Sequence, residues 1–280
     1  MRTATFGPTR AAVSIVGQGT WNLEQTNEKD AVAALQAGIA AGMTHIDTAE
    51  LYGDGRAEQI VGRAIAGRRD KVFVVSKVLP SNASYRGTLE ACERSLRHLG
   101  TDHLDVYLLH WRGSFPLAET FRAFEELEAA GKIKAYGVSN FDVGDLEEAL
   151  EITGKDRIAC NQVLYHLGER SIEHTVIPWC REHGVAVVAY SPFGSGRFPS
   201  ATSAGAKVLA RIAADRGVSA YQAALAFLIK QSEAFAIPKA ARIEHARDNA
   251  AAAELELDAA EMNALDAAFP AKRRRGLAMI

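Results

Sequence analysis

Cysteine is scarce: the chain of 280 residues has three, Cys92, Cys160 and Cys180. Their number is odd and no pair has C-x-x-C spacing, so buried thiols are expected rather than a disulfide or zinc framework. Charge of one sign is missing too, because 32 Lys plus Arg stand against 34 Asp plus Glu, a net charge of −2. Without a basic stripe to neutralise phosphates, a nucleic-acid partner is not expected. No run approaches the roughly 20 apolar residues of a membrane span. The opening MRTATFGPTRAAV has no apolar core of a signal peptide. The expectation is a cytoplasmic monomer with no membrane partner. His166, His174 and His183 lack ligand spacing such as H-E-x-x-H, so no metal is expected.

What is present is an ordinary soluble composition, 48% apolar and 24% charged, long enough for one large core. Short β-branched runs alternate with segments of helical period. The runs are SIVGQGT (14–20), THID (44–47), KVFVVSK (71–77), LDVYLLH (104–110), AYGVS (135–139), ACNQV (159–163), VAVVAY (185–190) and AFAIP (234–238). Helical stretches fall at 28–42, 57–67, 86–99, 117–130, 142–153, 172–183 and 219–231, with Gly100, Gly131 and Gly184 as stop signals. Eight such units predict one α/β domain over residues 1–280: a (β/α)8 TIM barrel with a short N-terminal β-hairpin and an extra C-terminal helix.

Barrel sites lie at the C-terminal ends of strands. Asp47, Lys77 and His110 close the second, third and fourth runs, and Tyr52 follows in the turn TAELYGDG, so the four can converge. A lysine alone at a strand end reads as a solvated rim charge, a lone histidine as a core residue and a lone aspartate as a cap; together they form a set. An ammonium beside a phenol favours phenolate and is expected to lower its pKa, with Asp47 offsetting the cost of burying the lysine. A Tyr52–Lys77–Asp47 chain would be a general acid, and His110 could direct a carbonyl oxygen. His45 is expected on the opposite side of its strand from Asp47, in a structural role. Trp21 and Trp111 follow strand ends and are open between core and pocket lining. VGQGTWN has Asn22 where a dinucleotide fingerprint needs its third glycine, so a Rossmann reading is rejected. KRRR (272–275) reads as a solvated tail.

GMTHIDTAELYGDGRAEQIVGRAI (42–65), VFVVSKV and LDVYLLHW together resemble the aldo-keto reductase family, nearest its bacterial methylglyoxal and small-aldehyde reductases. The resemblance implies Asp47, Tyr52, Lys77 and His110 as catalytic residues, and NADPH as cofactor with NADH as the alternative. It implies Ser139, Asn140 and Gln162 (in GVSNF and NQV) on the carboxamide, Tyr190 stacked on nicotinamide, and Ser191, Phe193, Gly194, Ser195 and Gly196 over the pyrophosphate. Gly19, Thr20, Trp21 and Asp47 are also assigned to the cofactor. Trp21, Tyr52, His110 and Trp111 are assigned to a small carbonyl substrate.

Two departures stand out. The adenosine-phosphate segment here offers Lys239, Ala240, His245, Asp248 and Asn249, without the family's usual hydroxyl and its guanidinium six residues after the lysine. Arg242 is expected to reach the 2′-phosphate instead. Phe193 and Gly196 replace the usual Leu and Pro, which predicts a looser pyrophosphate loop. The short tail PAKRRRGLAMI (270–280) predicts an open mouth and broad activity on 2-oxoaldehydes and aromatic aldehydes. Other classes remain: a Schiff-base lyase, if Lys77 were an unpaired amine, or a nicotinamide-binding redox sensor.

Overall fold

The first two strands do not enter the barrel. In the computed structural model, which describes residues 1–232 and 234–280, β1 (Thr3–Thr5) and β2 (Ala12–Ser14) form an antiparallel hairpin. Its turn passes through Gly7 at φ +50°, where a Cβ would lie 2.2 Å from the Ala159 carbonyl oxygen, so backbone presses directly on the barrel floor.

Eight parallel strands follow: β3 (Gln18–Gly19), β4 (His45–Asp47), β5 (Phe73–Val78), β6 (Leu104–Leu109), β7 (Ile133–Ser139), β8 (Ile158–Leu164), β9 (Ala186–Tyr190) and β10 (Phe235–Ile237). Each pairs with its chain neighbour. Parallel bridges Val16–Ala236 and Gly19–Lys239 join the last strand to the first. There the Gly17 amide donates to the Ala236 carbonyl at 2.8 Å and the Gly19 amide to Pro238 at 3.1 Å. The ring is closed, which removes both exposed sheet edges.

The expected strand 14–20 serves two sheets. Residues up to Ser14 stay in the hairpin, Ser14 Oγ accepting from the His45 amide at 3.1 Å, and only Gln18–Gly19 joins the barrel ladder.

Outside run α1 (Glu28–Ala40), α2 (Arg56–Ile65), α3 (Tyr85–Leu99), α4 (Leu117–Ala129), α5 (Val143–Thr153), α6 (Val176–Glu182), α7 (Ala204–Asp215), α8 (Ala220–Ser232), α9 (Ile243–Ala252) and α10 (Ala259–Ala268). α9 packs on α1 and closes the outer ring, whereas α10, the extra C-terminal helix, packs on α7 and α8. α7 has no counterpart among the expected helices, although Ser203 caps it and Ala206, Leu209, Ile212 and Ala213 give it a buried stripe. The expected helix 172–183 is broken at Thr175 (φ −141°), leaving a 3₁₀ turn, Ser171–His174, before α6.

The apolar interior has two compartments. One lies between sheet and helices, with Ile46, Val74, Val78, Leu109 and Val138 facing outward. The other fills the barrel, with Val75, Val106, Leu108, Val188 and Ile237 facing inward. Alternation along β5 therefore sends Lys77 inward above Val75. The same rule corrects the expectation for His45. Residues two apart share a face, so His45 and Asp47 both point into the barrel, and the His45 ring meets Phe6 at 5.5 Å and Phe73 at 5.7 Å between centroids.

Phe6 is the floor of this interior, fully buried, its ring 4.9 Å from both Phe73 and Phe235. Phe6→Ala should lower unfolding stability by about 3–5 kcal/mol, a lost side chain plus its cavity. Urea titration of both proteins checks this, with the midpoint falling and the slope unchanged.

Candidate active site

The mouth is organised by a lysine that has no water. The Lys77 side chain is 0% exposed and that of Asp47 2%. The β4–β5 register sets Asp47 beside Val75, one pleat below Lys77. Lys77 Nζ donates to Asp47 Oδ1 at 2.6 Å, to the Thr48 carbonyl at 2.8 Å and to the Tyr52 hydroxyl oxygen at 3.2 Å. An ammonium has three protons, and all three are used. The Tyr52 hydroxyl, accepting from the lysine, keeps its own proton for another partner. The other Asp47 oxygen, Oδ2, accepts from Gln162 Nε2 at 2.6 Å.

Burial pulls the ammonium toward neutrality, but Asp47 and Tyr52 override it and hold Lys77 above the ordinary lysine range. Burial lifts Asp47 above the usual carboxylate range, against the pull of Lys77 and Gln162. Burial likewise raises Tyr52 above the ordinary phenol value, and Lys77 only partly offsets it. The expected net acidification of Tyr52 is thus corrected: desolvation of the phenolate outweighs the neighbouring cation.

The turn that carries Tyr52 is tied down by Glu50. Its carboxylate accepts from the Leu79 amide at 2.7 Å and Asn82 Nδ2 at 3.0 Å on the β5–α3 connection, and from Arg94 Nη2 on α3 at 3.1 Å. His110, just past β6, is buried, its ring edge-on to Tyr52 at 5.7 Å and 4.8 Å from Trp111. Its Nδ1 has no hydrogen-bond partner among the described residues. Burial, then the charge of Lys77, pushes its pKa down to about 2, so the ring is neutral.

Beside these groups runs a polar chain. Ser139 Oγ donates to the Gln162 carbonyl at 2.8 Å. Asn140, left-handed at φ +58°, donates through Nδ2 to the His110 carbonyl at 3.1 Å and accepts from the Tyr190 hydroxyl at 2.9 Å.

Two cavities meet here. The first, about 330 Å³, is lined by Gly19, Thr20, Trp21, Asp47, Tyr52, Tyr190, Ser191, Phe193, Ser195, Gly196 and Lys239, with Gly194 buried in the same loop. The second, about 210 Å³, is lined by Trp21, Tyr52, His110, Trp111, Ser139, Asn140, Gln162 and Tyr190, together with Leu51, Met279 and Ile280. Trp21, Tyr52 and Tyr190 line both. Trp21 and Trp111 are therefore pocket walls, not core.

Some expected residues are not brought together. Ala240, Arg242, His245, Asp248 and Asn249 line neither cavity. Arg242 is 71% exposed and faces Glu244 at 3.9 Å, and Asn249 is buried in α9. Phe193 leaves no gap in its loop, because its ring packs edge-on to Tyr221 at 5.1 Å and Tyr221 stacks on Phe198 at 4.1 Å.

The open mouth is also corrected: the tail returns to it. Met279 and Ile280 form part of the second cavity's wall, and Arg274, within the basic run expected to be only solvated, pairs with Glu169 at 3.3 Å. Leu51 could have been found beside Tyr52. Nothing local to residues 279–280 marks them.

A closed eight-stranded parallel barrel, with a buried lysine and aspartate, a half-buried tyrosine and a two-part cleft at its C-terminal rim, defines a (β/α)8-barrel enzyme acting on a small molecule. The chain belongs to the aldo/keto reductase family, whose pattern matches residues 15–269. It is 50% identical over 261 residues to the methylglyoxal reductase YeaE of Escherichia coli (strain K12), covering 92% of each chain. To the glyoxal reductase of Bacillus subtilis (strain 168) it is 34% identical over 251 residues, covering 90% of this chain and 87% of that one. Its fold superposes with a TM-score of 0.94 on an aldo-keto reductase from Klebsiella pneumoniae in complex with NADPH, at 45% identity, covering 100% and 99% of the two chains. The protein is an oxidoreductase of this family. Among the described residues no helix is long and apolar enough to cross a membrane.

Two neutral buried imidazoles make stability depend on pH. Burial pushes His45 down to about 3 and His110 to about 2. Below the unfolded value of about 6.5 the unfolded chain binds protons that the folded chain refuses. Stability is fully present above about pH 6.5 and should fall below it by about 1.4 kcal/mol per pH unit for each ring. Urea unfolding between pH 7.5 and pH 5 reads the slope, and His45→Leu should remove one ring's share.

Proposed function

We propose that the protein reduces small aldehydes and ketones to alcohols with NADPH, Tyr52 giving the proton to the carbonyl oxygen. The observation that carries this reading is the spent lysine: all three Lys77 protons are engaged, so the Tyr52 proton is the one free to leave toward the cavity. Once that proton goes, the phenolate oxygen stands against an ammonium in a dry site, where an opposite charge stabilises it far more than in water. Asp47 keeps Lys77 charged through the step. Neutral His110, across the second cavity from Trp21, can hydrogen-bond the carbonyl oxygen and orient it.

NADPH, when bound, supplies the hydride. The residues fit such a group. Ser139, Asn140 and Gln162 offer amide and hydroxyl partners for a carboxamide, and Tyr190 offers a ring face at the junction of the two cavities. The loop from Ser191 to Gly196 has four left-handed residues, Ser191 (+47°), Gly194 (+76°), Ser195 (+48°) and Gly196 (+84°). Two of these, Ser191 and Ser195, are non-glycines held in a strained region. Lys239 lines that cavity, a cation suited to a phosphate.

Small substrates, 2-oxoaldehydes among them, are supported by a second cavity of about 210 Å³ and by the likeness to methylglyoxal and glyoxal reductases. A Schiff-base role for Lys77 is disfavoured, since a nucleophilic amine must be neutral and this one is held charged.

Tyr52→Phe should cut turnover by at least roughly 10², the usual share of a general acid, with little change in NADPH affinity. Absorbance at 340 nm with methylglyoxal and fluorescence titration with NADPH measure the two; near-normal turnover removes Tyr52 from the mechanism. For the phosphate, Lys239→Ala should weaken NADPH far more than NADH, because only the former loses a charge-assisted bond. Equal losses would refute that assignment.

A further inference from the structure

The segment after α10 forms neither helix nor strand, yet it ends at the mouth, where Met279 and Ile280 wall the second cavity. A stretch without internal hydrogen-bond ladders takes its path from point attachments. Two of these are exposed: His174 Nε2 to the Ala271 carbonyl at 2.9 Å, and Arg274 to Glu169 at 3.3 Å. Exposed polar ties of this kind contribute little.

A third polar attachment is of another kind. Arg170, on the loop after β8, has its side chain 1% exposed. Its Nε and Nη2 donate to the two Glu173 oxygens at 2.6 and 2.8 Å. Nη2 also donates to Asp266 Oδ1, on α10, at 2.6 Å, and Nη1 donates to the Phe269 carbonyl where the tail begins. The guanidinium lies 5.0 Å from the Phe227 ring centroid on α8, and Glu173 accepts in turn from the Tyr165 hydroxyl at 2.5 Å. None of these groups lines either cavity at the mouth. A planar fork satisfied on three sides in a dry site fixes direction as well as distance.

We propose that Arg170 is a positioning residue for the substrate pocket: by clamping the end of α10 and the Phe269 carbonyl to the loop after β8, it sets where the tail departs and hence where Met279 and Ile280 stand. The inference rests on the carbonyl-reductase reading only for the identity of the substrate. Because the clamp touches no reacting group, its loss should appear in KM and not in kcat.

Arg170→Gln tests the clamp directly. Asp266→Asn tests it through a carboxylate that is 55% exposed and is therefore a variant that spares the fold. Each should raise KM for methylglyoxal several-fold, with kcat and NADPH affinity unchanged. A chain ending at Pro270 should show the same rise, and Arg170→Gln should add nothing to it. A further KM rise when Arg170→Gln is introduced into the shortened chain, as large as the one it causes in the full chain, or a fall in kcat at constant KM, overturns the proposal. Trypsin cleavage within Lys272–Arg275, followed by mass spectrometry without substrate, should be faster in both variants. Unchanged cleavage refutes the clamp whatever the enzyme reduces. Faster cleavage in a protein that reduces no carbonyl leaves the clamp standing and removes the reductase reading.

Discussion

One ammonium sealed from water dictates the arrangement of the barrel mouth. An unpaired buried lysine would surrender its proton, so Lys77 must find an acceptor for each N–H within the reach of a single strand end. The three it finds, Asp47, the Thr48 carbonyl and Tyr52, lie within six residues of one another. That requirement fixes the path of the β4–α2 turn. Glu50 braces the same turn from outside, and Gln162 reaches across from β8 to occupy the carboxylate oxygen that the lysine leaves. Removing any one partner would leave a buried charge half-compensated, which makes the group behave as a unit rather than as a sum of pairs.

The same inward row of side chains links the site to the floor. Phe6 closes the bottom, His45 lies next to it, and Asp47 follows on the same face of β4. His45 has both ring nitrogens buried without a partner among the described residues, with aromatic edges around it. It is held neutral there by the same desolvation that lifts Tyr52. A charge on that ring would add a like charge beneath Lys77. Keeping it neutral leaves the lysine's field directed at Asp47 and Tyr52 alone.

Much of this was legible in the chain because the barrel converts sequence spacing into position. Runs ending in Asp47, Lys77 and His110 mark consecutive strand ends, and a fold that brings strand ends to one rim does the rest. Tyr52, five residues past Asp47, followed from turn length alone. What escaped depends on distant partners. Met279 and Ile280 line the pocket beside residues far from them in the chain, and no local pattern encodes that meeting. α7 was overlooked because the β9–β10 connection carries two helices where the repeat leads one to expect one. The adenosine-end residues are expected from their position within a motif, yet Arg242, just before α9, turns toward Glu244, and Asn249 faces inward because helix phase decides direction along α9.

The error over Tyr52 has the most physical content. A cation beside a phenol lowers its pKa relative to the same site without the cation, but here the burial that strengthens the attraction penalises the phenolate by more. At rest burial wins, and the hydroxyl keeps its proton. A resting phenol that never ionises wastes none of its population as phenolate, whereas a solvated one acidified below neutrality could not act as an acid. The lysine matters when charge develops on the tyrosine oxygen, because the ammonium is already desolvated, already oriented by Asp47 and needs no reorganisation to meet it. Lys77 therefore makes the tyrosine a stronger acid than the same phenol would be without it, though not stronger than an ordinary one. It lowers the cost of the moment when the proton leaves.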